Sequence, residues 1–281
     1  MNAYQLSQSQ FEEFRAILLR EEKAPGTVEK YLRDVRAFAA WLAGCPVCRE
    51  RVSEWKESLL AAGYAPVTIN GMLSSLHKFF HLMGWKEYCV SFLRIQRRIF
   101  REQSRELTKE EYVRLLETAR ELGQDRLALL LETICATGIR VSETRYITVE
   151  AARRGRAEIA LKGKIRVILL PGKLCKKLLR YAKKQKTASG EIFLTKSGKS
   201  LSRQQIWAEM KLLCKKSSVE SSKVFPHNLR HLFAVTFYQV CRDIVKLADV
   251  LGHSSVETTR LYLISTGAEH AQQLELLGLI S

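Results

Sequence analysis

Apolar residues recur through the first hundred positions with the spacing of helices packed on one face. Phe11, Phe14, Ile17 and Leu18 mark a first helix, which Pro25-Gly26-Thr27 ends. Val28, Tyr31, Leu32, Val35, Phe38 and Leu42 form a regular i, i+3, i+4, i+7 stripe. After a loop with Gly44 and Pro46, residues Val52 to Ala61 read as a third helix. Pro66 opens a fourth, with Ile69, Met72, Leu73, Leu76, Phe79, Phe80 and Met83 on its inner face. The pattern predicts a bundle of four or five helices over residues 1–98. Residues 99–106 are polar and basic with no long stripe and read as a linker.

Beyond it the period changes twice. Thr108 with Glu111 fits a capping box, and Tyr112, Leu115, Leu116 and Ala119 continue that helix. Leu127 to Ala136 is nearly all apolar, which predicts a buried helix. Glu158 to Leu161 and Arg166 to Leu169 alternate instead, so Lys162-Gly163-Lys164-Ile165 reads as the tight turn of a β-hairpin, with Ile192-Phe193-Leu194 as a candidate third strand. Lys173 to Lys186 is a basic helix, Ser202 with Gln205 caps the next, and Pro226 opens another. Asp243 to Leu251 is a short helix that Gly252 ends. Ser254 with Glu257 fits another capping box, which places His253 in a corner and Tyr262 about two turns into the following helix. Ala271, Leu274 and Leu277 predict a last helix over 268–280. The fold class is therefore mainly α with one small β-hairpin, divided as 1–98, a linker at 99–106, and 107–281.

Charge narrows the partners. The 281 residues carry a net charge of +17. Residues 1–100 hold 14 Lys+Arg against 10 Asp+Glu, and the remainder 32 against 19, so the second part binds phosphate more strongly. On the bundle the candidate phosphate contacts are Lys30, Arg33, Lys78 and Arg94, with Arg97, Arg98 and Arg101 at and in the linker. The seven cysteines are scattered, and Cys45-Pro46-Val47-Cys48 has no second pair and no nearby His to complete a metal site. With no secretory core and no apolar run of membrane length, the expected setting is the cytoplasm, with no membrane partner.

Three stretches concentrate polar chemistry: Thr137-Gly138-Ile139-Arg140-Val141-Ser142-Glu143, His227-Asn228-Leu229-Arg230, and Leu251-Gly252-His253 followed by Tyr262. Singly, each is an ordinary helix end or solvated face. In this order, with the lysine hairpin between the first and second, the sequence from Leu107 onward resembles the tyrosine recombinase (phage integrase) family, in an Xer-like two-domain form. The hairpin departs from that family's G-K-G-x-K-x-R pattern: Leu161 replaces the first glycine and the turn lacks one residue, so Lys162 and Lys164 both stand as candidates for the catalytic lysine. After Arg230 the chain reads His231-Leu232-Phe233-Ala234-Val235 where members usually show H-T-F-A-T, and Ile264 stands where many have His.

The resemblance implies a site of Arg140, Lys162, His227, Arg230, His253 and the nucleophile Tyr262, supported by Glu143 and Lys164, with no metal and no cofactor. Two guanidinium forks would hold the non-bridging oxygens of a phosphodiester, and His253 would donate a further hydrogen bond. His227 would act as base for a phenol whose free pKa is about 10, and the lysine would protonate the 5′ oxygen. The implied partners are double-stranded DNA with inverted-repeat core sites and further copies of the chain, as a tetramer with the 268–280 helix exchanged. A type IB topoisomerase-like nicking-closing enzyme and a non-catalytic DNA-binding regulator are the rival readings.

Overall fold

The computed structural model describes residues 6–95, 105–161, 164–263 and 275–276. The chain divides into two compact units, Met1–Arg97 and Arg98–Ser281.

The first unit is a helical bundle of α1 (Gln8–Arg20), α2 (Pro25–Leu42), α3 (Arg49–Ala61) and α4 (Pro66–Met83), followed by a 3-10 turn, Lys86–Tyr88. Pro25 and Pro66 occupy first-turn positions, where no backbone N–H is needed. The predicted stripes converge on an aromatic core. Phe14 meets the Phe79 ring edge-on at 5.2 Å, and Phe38 packs on Trp55 at 5.0 Å. Phe14, Phe38, Phe79 and Phe80 are all fully buried.

The cationic face expected on this bundle is partly committed to the fold. Asp34 is 2% exposed. It accepts hydrogen bonds from Lys30 Nζ at 2.7 Å, Ser75 Oγ at 2.8 Å and Arg33 Nη2 at 3.0 Å. The Lys30 ammonium also donates to the Gly71 carbonyl and Ser75 Oγ, both at 3.0 Å, so its three N–H donors are used within the bundle. Lys78 is paired with Glu21 at 2.6 Å. Arg33 keeps a largely exposed side chain and Arg94 is exposed, whereas Arg97, Arg98 and Arg101 lie outside the described residues. An i, i+4 lysine beside a stripe resembles a wet face in sequence; the buried acid on the same helix is what draws it in.

In the second unit, Thr108 and Glu111 close a reciprocal capping box on α5 (Lys109–Glu121). α6 (Asp125–Thr137) runs through the core with Leu130, Leu131 and Ile134 fully buried. α7 (Val149–Arg154) leads into the antiparallel hairpin β1 (Arg156–Leu161) and β2 (Lys164–Leu169), in which Leu161 faces Lys164 across a two-residue connection. Ile192-Phe193-Leu194 does not join this sheet. Ile192 and Phe193 are both buried, each 2% exposed, so consecutive side chains plug the core instead of alternating; isolated bridges flank them at Thr148–Glu191 and Leu194–Ser200. The remaining helices are α8 (Gly172–Lys184), α9 (Arg203–Ser217), α10 (Pro226–Cys241), α11 (Ile244–Leu251) and α12 (Val256–Arg260).

One local expectation is corrected. The side chain capping α12 is that of Ser255, which accepts from Glu257 N at 3.2 Å, not that of Ser254. The helix then lasts five residues, and Tyr262 follows it in a turn held by Tyr262 N donating to Thr259 O at 2.9 Å. The predicted 268–280 helix lies outside the described residues, apart from helical Glu275 and Leu276. Among the described residues no helix is long and apolar enough to cross a membrane, and no cluster of three or more potential metal ligands occurs.

Burial pushes the Asp34 carboxyl up, but the donors from Lys30, Ser75 and Arg33 outweigh it and hold the group below its usual range. A depressed acid stabilises the fold above its unfolded pKa, and that contribution is lost as pH falls through the folded value. Lys30→Met should therefore destabilise the first unit by about 2 kcal/mol, and part of the difference from the parent should vanish under acid. Urea unfolding of the full chain, followed by the fluorescence of Trp41, Trp55 and Trp85, measures this.

Candidate active site

The site is assembled from helix ends. α6 terminates at Gly138, which has a φ of +63°, and a Cβ there would lie 2.4 Å from the Phe233 ring. Only glycine tolerates both conditions. The freed carbonyl of Gly138 accepts from Arg230 Nη1 at 2.5 Å. Two residues later Arg140 opens a 3-10 helix, Val141–Tyr146, and its side chain is 43% exposed.

Beneath it lies Glu143, 2% exposed. Its Oε1 accepts Arg140 Nη1 at 3.0 Å, and its Oε2 accepts the Arg140 backbone N–H at 2.8 Å. Arg166 of β2 donates Nη1 to the same two oxygens at 3.0 and 2.9 Å, and Nη2 to the Val250 carbonyl at 2.7 Å. One buried carboxylate thus fixes two guanidinium groups.

α10 supplies three residues from one turn. Arg230, 2% exposed, donates from Nη2 to the Leu251 carbonyl at 2.8 Å and to His253 Nε2 at 2.8 Å. Burial and the neighbouring Arg140 draw its pKa down, while the Tyr262 phenol opposes them; an arginine stays cationic regardless. Because a guanidinium can only donate, His253 Nε2 must accept. That assigns the proton to Nδ1, which donates to Thr259 Oγ1 at 2.8 Å. Burial first, then the charges of Arg230, Arg140 and Arg166, pull the His253 pKa down to about 4. The imidazole is accordingly neutral, and its Nε2 accepts from Arg230.

Tyr262 is 8% exposed and sits among three imidazoles, with ring centroids 5.4 Å from His227, 5.5 Å from His231 and 5.6 Å from His253. The His231 and His253 rings are stacked on it. His231 also donates Nε2–H to the Tyr262 carbonyl at 2.9 Å, since a carbonyl can only accept. Arg140, His227, Arg230, His253 and Tyr262 all line one cavity of about 870 Å³. Arg140 and Arg166 share the one Glu143 carboxylate, and the hydrogen bonds of Arg230 go to two carbonyls and an imidazole, so the site is net cationic and suited to an anion.

Five of the six residues expected to act in catalysis therefore converge. Lys162 lies outside the described residues, and Lys164 is placed only as a strand position opposite Leu161. Sequence reasoning missed Arg166, His231 and Thr259, and a wall of the cavity built by Arg203, Gln204 and Trp207 of α9. Arg166 carried one signal: it is the arginine that ends the K-x-R portion of the hairpin pattern.

The fold and this constellation define a class. The phage integrase family matches residues 105–269, and the N-terminal SAM-like domain of phage integrases matches residues 11–87. The chain belongs to the phage integrase family. Tyrosine recombinase XerA of Pyrococcus furiosus is 27% identical over 277 residues, covering 96% of this chain and 94% of its own. Among solved structures, a lambda integrase tetramer bound to a Holliday junction superposes with a TM-score of 0.74 at 18% identity, over 93% of this chain and 78% of the other. The XerH site-specific recombinase in its pre-cleavage complex with difH superposes with a TM-score of 0.69 at 20% identity, over 95% and 84%.

A histidine whose pKa is lowered on folding is protonated in the unfolded chain first. Between pH 6.5 and about 4 the unfolded state therefore takes up the extra proton, and His253 makes the fold lose stability as pH falls through that window. His253→Gln should flatten this acid dependence, measured by denaturant unfolding at several pH values. In NMR titrations the His253 ring should stay neutral at pH 5.5 and titrate at higher pH in Arg230→Gln.

Proposed function

We propose that this protein is a site-specific tyrosine recombinase that cleaves double-stranded DNA through Tyr262 and exchanges strands by way of a Holliday junction. The observation that carries the reading is a buried tyrosine ringed by three histidines in the same cavity as Arg140 and Arg230.

A phosphodiester is anionic and has a poor leaving group, so the enzyme must position a nucleophile, stabilise charge and deliver a proton. Arg140 and Arg230 bind the non-bridging oxygens. For Arg230 this means exchanging its bond to His253 for one to phosphate; His253 then donates to the phosphate as the Nε2–H tautomer, with Nδ1 accepting from the Thr259 hydroxyl. His227 takes the phenolic proton as the Tyr262 oxygen bonds to phosphorus. The bond from phosphorus to the 5′ oxygen breaks, and a hairpin lysine, Lys162 or Lys164, gives that oxygen its proton. The products are a 3′-phosphotyrosine and a free 5′-hydroxyl. The 5′-hydroxyl of a second strand reverses the same steps, so the phosphodiester energy is retained in the protein–DNA bond.

In this reading four copies assemble on two inverted-repeat core sites, and the 268–280 segment passes between neighbours. Arg33, Arg94, Arg97, Arg98 and Arg101 contact phosphates, while Lys30 and Lys78 serve the fold of the first unit. The seven cysteines, all free thiols, suit a reducing cytoplasm.

Incubation with nicked suicide duplexes carrying candidate sites should yield an SDS-resistant protein–DNA band that Tyr262→Phe abolishes. DNA that the protein binds without forming the band would identify a non-catalytic regulator. Relaxation of supercoils without sequence preference would identify a nicking-closing enzyme.

A further inference from the structure

We propose that Arg166 is a positioning residue that seats the lysine-bearing hairpin on the phosphate-binding corner, so that protonation of the leaving 5′ oxygen depends on it. The inference rests on the reading above that a hairpin lysine is the general acid.

The hairpin has only two strands, and among the described residues no third strand extends it. Ala157, Ile159 and Ile168 press it on the core, but apolar contact is non-directional and leaves small sliding motions cheap. Arg166 supplies direction. It projects from β2, where it faces Ile159, and reaches two other elements. One guanidinium nitrogen is bonded by both oxygens of Glu143, which in turn orients Arg140, and the other caps the carbonyl of Val250 at the end of α11. Its Nε is buried without a hydrogen-bond partner, an uncommon cost for a buried donor.

Gly252 explains that burial. Its φ is +64°, and a Cβ there would lie 2.4 Å from Arg166 Cδ and 2.5 Å from Nε. The glycine before His253 thus serves two ends at once: it turns the chain and lets the arginine pass. Lysine, with one nitrogen and no planar fork, cannot reproduce the double anchorage. Because Lys164 is two residues from Arg166 in β2 and Lys162 precedes Arg166 by four residues in sequence, an error of about 1 Å in the hairpin's seat is transmitted to either acid, at a cost on the order of 10²-fold in rate.

The test is single-turnover cleavage of suicide duplexes by the full-length protein, with either a normal 5′ oxygen or a 5′-bridging sulfur at the scissile position. A thiolate leaves without a proton, so the sulfur substrate hides a defect in the acid but not one in phosphate binding. Lys162→Ala and Lys164→Ala serve as references, and each variant is first matched to the parent in DNA affinity. Arg166→Gln should slow the oxygen substrate about 100-fold and return to within about tenfold of the parent on the sulfur substrate. Arg166→Lys should restore little. Gly252→Ala, which displaces Arg166 without removing any charge, should give the same rescuable defect even where Arg166→Gln fails to fold. Equal slowing on both substrates, beside a rescued lysine variant, would overturn the proposal and assign Arg166 to phosphate binding through Glu143. If neither lysine variant is rescued, the general-acid reading falls, and the proposal with it.

Discussion

The buried carboxylate of Glu143 holds this site together. It accepts from the side chain and backbone of Arg140 and twice from Arg166, which ties a helix end, a hairpin and the corner before His253 to one point. Burying an acid is costly unless donors surround it, and here two guanidinium groups and a backbone N–H do. The consequence reaches beyond Glu143. Each arginine is set in a single geometry before any substrate arrives, and the excess of guanidinium over carboxylate leaves a field for an anion. Such preorganisation is what catalysis at a phosphodiester requires, because little else lowers its barrier.

Tyr262, the proposed nucleophile, is placed by the same economy of means. α12 has only five residues, so Tyr262 is fixed by tertiary contacts instead of by its own helix. Three imidazole rings and the bond from His231 to its backbone carbonyl do that work. The neutral state of His253 belongs to this arrangement as well. A second cation pressed against Arg230 would repel it, whereas the lone pair of a neutral ring accepts from it.

Much of this could be read from residues in order. The stripes of the first hundred positions located four helices because burial on one face leaves a periodic record. The family motifs marked Arg140, His227, Arg230, His253 and Tyr262, and these share one cavity. What escaped was whatever depended on distant partners. Arg166 meets Glu143 from 23 positions away and Val250 from 84. An inward arginine in a strand carries no local sign of such contacts. Lys30 looked like a phosphate contact because the acid that captures it, Asp34, is recognisable as buried only once the bundle is packed. Ile192 and Phe193 suggested a strand, yet two neighbouring side chains both turned inward cannot follow a pleat.

Tyr262 acting as the nucleophile is the claim on which everything else turns. The most direct measurement is tandem mass spectrometry of the trapped protein–DNA adduct after protease and nuclease digestion. The account predicts a peptide carrying a nucleotide on Tyr262, joined through its 3′ phosphate. A nucleotide on any other residue, or one joined through its 5′ phosphate, would contradict it.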